Sequence, residues 1–224
     1  MSTLSSPSYK RYYEKYWANG QLGYSGDSQG YAANLRRWMH RLLKDIPRET
    51  RLLEVGCGDG AFTRDLATHS ARVTAVDIAA QQLERNAAAH PDICWVQHDV
   101  ADPLPFGDGV FEVIWCSEVL EHLFDPAFAL REMHRVLSRG GLLAVTVPYH
   151  GPLKNVLIAL FKWDEHFRPD HPHIRFFSRK TLTQVVADAG FVDIRTQTCG
   201  MNKPLRDQIV PTNILLTASK TGGN

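Results

Sequence analysis

Between Leu52 and Leu66 the chain reads LLEVGCGDGAFTRDL, with three glycines in five residues directly after an apolar run. Glycine in regular structure costs roughly 0.5–1 kcal/mol relative to alanine. A chain that spends three of them together needs bare backbone there. Gly56, Gly58 and Gly60 stand where a short apolar strand, RLLEV, hands over to a helix beginning near Ala61. In an open parallel sheet, ligands bind outside the carboxyl ends of the strands, and a helix start adds unpaired N–H groups. The glycines therefore predict a ligand-binding turn.

The remainder of the chain agrees with a sheet of that kind. Leu35, Trp38, Met39, Leu42, Leu43 and Ile46 recur in steps of three and four, which predicts an amphipathic helix ended by Pro47. From Arg51 onward strands and helices alternate. ARVTAVD, ICWVQHD, FEVIWCS and LLAVTVP are the further strands, and Ala61–His69, Ala79–Ala89 and Pro126–Leu137 the helices, the last closed by Gly140 and Gly141. Alternation of this type implies crossover units and a mostly parallel sheet. Ser178 reads as the N-cap of a further helix that Gly190 closes. Two last strands, FVDIRTQT and NILLTAS, have only a loop between them and predict an antiparallel hairpin at one edge.

Residues 149–178 interrupt this rhythm and read as a cap inserted over the carboxyl ends of the strands. The predicted organisation is one domain: an N-terminal helical lid (1–47), a core (48–148), the cap (149–178) and a C-terminal helix with the hairpin (179–224). With 25 basic and 24 acidic residues, the chain has no general attraction for nucleic acid or an anionic membrane. Its four cysteines form no CxxC pair, the N-terminus lacks the apolar core of a signal peptide, and no run reaches 18 apolar residues. A cytoplasmic protein, a monomer or homodimer without stable membrane insertion, is the expectation.

The glycines alone leave the ligand open. Gly56, Gly58 and Ala61 also satisfy the dinucleotide fingerprint GxGxxA, and Asp77, closing the second strand, can accept from the ribose hydroxyls of any adenosine cofactor. The third strand ends in Asp99 and continues HDVADPLPFGDGVFEVIWCSEVLEHL. From about Arg51 to Pro148 the chain resembles the class I S-adenosylmethionine-dependent methyltransferases, in their large small-molecule branch (type 11-like). E-x-G-x-G-x-G, the acidic residue after strand two, D-x-x-x-x-L-P-F and E-V-L-E-H occur in register. The segment around E-V-L-E-H resembles the ubiquinone-biosynthesis O-methyltransferases.

The resemblance implies a Rossmann-like α/β sheet of seven strands, the last antiparallel, with helices on both faces. It implies S-adenosyl-L-methionine as cofactor and S-adenosyl-L-homocysteine as product. Glu54 and the backbone at Gly56, Cys57, Gly58 and Gly60 would hold the methionine part. Asp77 would bind the ribose hydroxyls with Ile78 on the adenine. Asp99 would face the adenine amino group beside Val100, and Cys116 and Ser117 would line the methionine end.

The expected activity is methyl transfer to a small-molecule acceptor, foremost at oxygen: a phenol or quinone precursor, a specialised metabolite or a sugar. N-methylation of a small amine and cofactor binding without catalysis are the alternatives. The catalytic candidates are His122, His150 and His173, since an unperturbed imidazole titrates near neutral pH. If Glu118 begins a helical turn, Glu118, Glu121 and His122 share one face and form a weak metal candidate; the reading adopted is that no metal is bound. Acceptor contacts are expected from Tyr12, Tyr13, Trp17 and Tyr24 of the lid, and from Tyr149 and Arg175 of the cap. Leu153, Val156, Leu157, Ile158, Leu160 and Phe161 read as a cap helix packed onto the core, with an apolar acceptor pocket or a membrane contact as alternatives.

Overall fold

The computed structural model describes residues 7–18, 30–168, 172–200, 207 and 209–222. Two N-terminal helices, α1 (Pro7–Ala18) and α2 (Tyr31–Leu43), precede the sheet. Strands and helices then alternate as β1 (Arg51–Val55), α3 (Ala61–Ala67), β2 (Arg72–Asp77), α4 (Ala80–Ala89), β3 (Cys94–Gln97) and β4 (Phe111–Ser117). A 3-10 turn at Leu120–His122 leads into α5 (Pro126–Val136) and β5 (Leu137–Pro148). The cap carries α6 (Pro152–Phe161) and α7 (Trp163–His166), and α8 (Arg179–Asp188), β6 (Val192–Cys199) and β7 (Asn213–Ser219) complete the fold.

The strands form one seven-stranded sheet in the order β3-β2-β1-β4-β5-β7-β6. β1 to β5 are parallel, whereas β7 runs antiparallel to both β5 and β6. The predicted C-terminal hairpin is present, with β6 at the edge. The order reverses direction at β1, so the carboxyl ends of β1 and β4 flank a crevice.

Side-chain alternation along each strand divides the core between two faces. Leu53, Val55, Ile114, Cys116, Leu143 and Val145 face α5 and α8. Leu52, Val113, Trp115 and Ala144 face α2 and α3. There Trp115 is fully buried, with its ring centroid 5.2 Å from Trp38 and 6.3 Å from Phe62. The predicted strand at LLAVTVP begins earlier, because Leu137 already pairs with Phe111 across a register shift.

The N-cap expected at Ser178 is formed, and as part of a capping box: its side chain accepts from the Thr181 N–H, and the Thr181 hydroxyl accepts from the Ser178 N–H. The cap segment is tied down where Tyr149 bridges to Phe177 and the His150 N–H donates to the Phe177 carbonyl at 2.7 Å. Its helix departs from the sequence expectation. Ile158 is the only buried residue of α6, while Leu153, Val156, Leu157, Leu160 and Phe161 are exposed. Apolar composition marks the helix but does not say whether a partner surface covers it.

Candidate functional site

At the carboxyl end of β1 the chain turns through Gly56, Gly58 and Gly60, all in the left-handed region, with φ of 73°, 49° and 71°. A Cβ at Gly56 would strike Val119, and one at Gly58 would strike the Trp17 indole. Asp77 shapes this turn from the neighbouring strand. Its Oδ2 accepts from the Gly58 N–H at 2.8 Å and its Oδ1 from the Ala79 N–H at 2.9 Å. Each carboxylate oxygen has a second acceptor direction, so Asp77 can organise the loop and still receive a ligand. Burial raises its pKa, and these backbone bonds work against that. From α4, Asn86 Nδ2 donates to the Gly58 carbonyl at 2.9 Å.

Glu54, inside β1, is almost fully buried, and one of its oxygens accepts from the Thr63 hydroxyl of α3. Desolvation is the largest influence on its pKa, which is pushed up to about 8. The Thr63 bond opposes the shift, and Asp59, Asp77 and Asp65 add to it. Cys57 is buried with its thiol pushed well up, which makes it a loop filler rather than a thiolate.

These residues line one cleft of about 200 Å³. Glu54, Gly56, Cys57 and Gly58 form one wall, Asp77 and Ile78 a second, and Asp99, Val100 and Ser117 further surface. Asp99 also accepts from the Ala101 N–H at 2.9 Å, which fixes the turn after β3. Tyr13, Tyr16 and Trp17 of α1 face the same cleft. Burial, and then Tyr12, raises Tyr16 to about 12, so its phenol stays protonated at neutral pH. Tyr12 stacks on Tyr16 behind this layer, at 6.1 Å between centroids.

Other sequence candidates lie elsewhere. Cys116 points into the core on the opposite pleat from Ser117, and Gly60 sits at the start of α3, outside the lining. Tyr149, His150 and Arg175 do not line the cleft. His150 is buried beneath the cap against Asn155 and His166. Arg175 donates from Nη2 to the Phe124 carbonyl at 2.5 Å and stacks over the Phe124 ring. Tyr24 falls outside the described residues.

The carboxylate–imidazole set also differs from expectation. Glu118 adopts φ 56°, so it does not continue the 3-10 turn and shares no face with Glu121 and His122. Its carboxylate instead accepts from Tyr31 and Thr146 at 2.8 Å and from Asn213 at 2.9 Å. His173 takes the vacated place. Glu121, His122 and His173 bring their ligand atoms within 4.8 Å of one another, and both imidazoles line the cleft. The rings meet edge to face at 4.8 Å, with Tyr13 against His122 at 5.8 Å.

His122 Nδ1 lies 3.2 Å from the Pro172 carbonyl, which only accepts, so Nδ1 carries the proton and Nε2 is the basic nitrogen. Glu121 Oε1 lies 3.9 Å from that Nε2. The Glu121 side chain is 1% exposed, and neither oxygen has a hydrogen-bond partner among the described residues. Burial and then Glu118 push its pKa well up.

Residues 28–196 match the profile of the methyltransferase-domain family. This chain belongs to that family. A protein of Mycobacterium tuberculosis named "Probable S-adenosylmethionine-dependent methyltransferase" is 32% identical over 153 residues, 67% of this chain and 51% of its own. The malonyl-[acyl-carrier protein] O-methyltransferase of Geobacter sulfurreducens is 35% identical over 182 residues, 75% of this chain and 66% of its own. Across eight of the curated relatives the matched stretch spans 30% to 66% of their length. Among solved structures, the [4+2]-cyclase SpnF superposes with a TM-score of 0.69 at 18% identity, over 95% of this chain and 94% of its own. That likeness speaks for the fold alone.

S-adenosylmethionine is accordingly the cofactor class of this methyltransferase domain. Several lining residues carried no sequence signal for a role. Phe62, His98, Val119 and Leu123 join the cleft by position only, and Asn86 acts on it from α4.

Proposed function

We infer that this domain transfers the methyl group of S-adenosylmethionine to a hydroxyl of a small-molecule acceptor. The observation that carries the reading is the pair of imidazoles, His122 and His173, in the wall of the cleft that the glycine turn builds. In this reading Glu54 takes the ammonium of the cofactor, Asp77 the ribose hydroxyls, and Asp99, Ile78 and Val100 surround the adenine. Ser117 borders the methionine end.

The sulfonium carbon is already electrophilic, so the protein must align an oxygen with the S–CH3 bond near 3 Å and exclude water. A hydroxyl must also lose its proton. His122 Nε2 takes it, with the ring held by its Nδ1–H on the Pro172 carbonyl. The methyl then leaves sulfur for oxygen, giving S-adenosylhomocysteine and a methyl ether or ester. Tyr13, Tyr16 and Trp17 shield the cleft from solvent. An O-methyltransferase among the relatives agrees with an oxygen acceptor.

A divalent cation held by Glu121, His122 and His173 is the second reading. The buried carboxylate, with no hydrogen-bond partner among the described residues and two imidazoles beside it, favours it. Such an ion would lower the pKa of the acceptor hydroxyl.

One assay tests both. Transfer to a panel of phenols, hydroxy acids and amines is measured for wild type and His122→Ala, with and without chelator, alongside calorimetric binding of S-adenosylhomocysteine. Expected are hydroxyl methylation that is insensitive to chelator and a kcat lower by about 10²–10⁴-fold in the variant, with binding unchanged. Chelator sensitivity restored by added magnesium or manganese selects the metal. Turnover only on amines, or full turnover in His122→Ala, overturns the base.

A further inference from the structure

Helix α6 leaves an apolar face uncovered. Leu153, Val156, Leu157, Leu160 and Phe161 fall at successive steps of three, one, three and one, so they share one side of the helix. Leu160 is 68% and Phe161 76% exposed, while Ile158 anchors the opposite side to the body. Trp163, two residues past Phe161 at the start of α7, is also exposed. Its ring lies 4.6 Å from Phe167, which lies 5.5 Å from Phe176. Three residues before Phe176 is His173, in the wall of the cleft. The short segment 173–176 thus joins the aromatic cluster beside α7 to the wall of the cleft.

The charge along this stretch of the chain is not that of the whole. Residues 151–180 hold six lysines and arginines against three acidic residues, in a protein with 25 and 24 overall. Lys154 lies within the helix and Lys162 just after it, paired with Glu165 at 2.6 Å; Arg168 and, at the start of α8, Arg179 and Lys180 follow along the chain, the last three exposed. Apolar side chains at a helical spacing, a tryptophan at their edge and a basic surround make up the chemistry of an anionic lipid interface. A contact between two copies fits less well. Lysine is depleted from protein interfaces, and a two-fold pairing would bring the same basic residues together.

We propose that the α6–α7 face of the cap docks on anionic lipid bilayers and presents a bilayer-borne amphiphile to the cleft. No helix among the described residues is long and apolar enough to cross a membrane, so the contact is peripheral. The second half of this proposal, the presentation of an acceptor, rests on the methyl-transfer reading above; the docking does not.

The test is co-sedimentation with vesicles of mixed phosphatidylglycerol and phosphatidylcholine, and with phosphatidylcholine alone. Wild type and the double variant Leu160→Asp, Phe161→Asp are compared, with binding of S-adenosylhomocysteine as the measure of folding. Expected are binding to the mixed vesicles, weaker binding to the neutral ones, loss of binding at 1 M salt, where screening shortens to about 3 Å, and at least about tenfold weaker partition of the folded variant. Absence of wild-type binding to the mixed vesicles overturns the proposal. So does equal binding by the variant, or a wild-type dimer that the variant dissolves while vesicles bind neither. Vesicle binding by a protein that methylates no hydroxyl would sink the methyl-transfer reading and leave the docking standing.

Discussion

Glu54 shows how one residue couples the cleft to pH. A carboxyl whose pKa rises from 4.5 to about 8 binds more protons in the folded than in the unfolded chain between those values. Its contribution therefore destabilises the empty protein progressively as pH climbs from 4.5 through about 8. In the reading proposed above, the ammonium of the cofactor would reverse the cost by supplying the missing opposite charge. Cofactor binding near pH 7 should then release a proton and strengthen as pH rises toward 8. Glu54→Gln keeps the shape and removes the charge. Its melting temperature without ligand should exceed that of wild type at pH 7.5, and its affinity for S-adenosylhomocysteine should fall by roughly 1.5–3 kcal/mol, the range for a hydrogen bond to a charged group. Equal affinity in the two proteins, with no buffer-dependent binding enthalpy in wild type, would remove Glu54 from the cofactor site.

At the scale of elements, the glycine turn and α1 are fitted to each other. Gly58 leaves the space that the Trp17 indole fills, at a φ that side chains rarely adopt. Gly58→Ala introduces two faults: left-handed strain, about 1–3 kcal/mol, and a collision with α1. Trp17→Ala relieves only the second. The double variant should consequently bind S-adenosylhomocysteine better than the sum of the single losses predicts, a coupling of about 0.5–3 kcal/mol in a double-mutant cycle. Strict additivity would mean that α1 does not rest on the turn in solution.

The elements differ in how far the sequence discloses them. The turn, the strands and Asp77 and Asp99 at the strand ends are legible, because glycine spacing and short apolar runs are local signals. Ser117 could not be separated from Cys116 until the pleat was known. His173 lies 51 residues after His122, so only the return of the cap brings the rings together. Glu118 would share that turn only if it began a helix, and its left-handed backbone takes it to Tyr31, Thr146 and Asn213 instead. The exposure of α6 was not legible either, since an apolar helix reads alike whether core or solvent covers it.

For the molecule as a whole, stability should be graded from the sheet outward. β1, β4 and β5 are paired on both sides and covered on both faces. α1 lies over the cleft, and α6 stands on the single buried residue Ile158. Elements with few buried side chains open locally without unfolding the sheet. Native-state hydrogen exchange should therefore be slowest in the central strands and faster in α1 and α6. A ligand at 100 times its Kd stabilises the binding-competent form by about 2.7 kcal/mol, which sets the ceiling on protection at about 100-fold. Saturating S-adenosylhomocysteine should slow the amides of residues 56–60 and of α1 together, because Tyr13, Tyr16 and Trp17 share the cleft with the turn. It should leave α6 unchanged, since the exposed face of that helix lies outside the cleft lining. Protection of the turn without α1 would mean that the aromatic helix does not close over the cofactor, and the shield would then have to come from the acceptor itself.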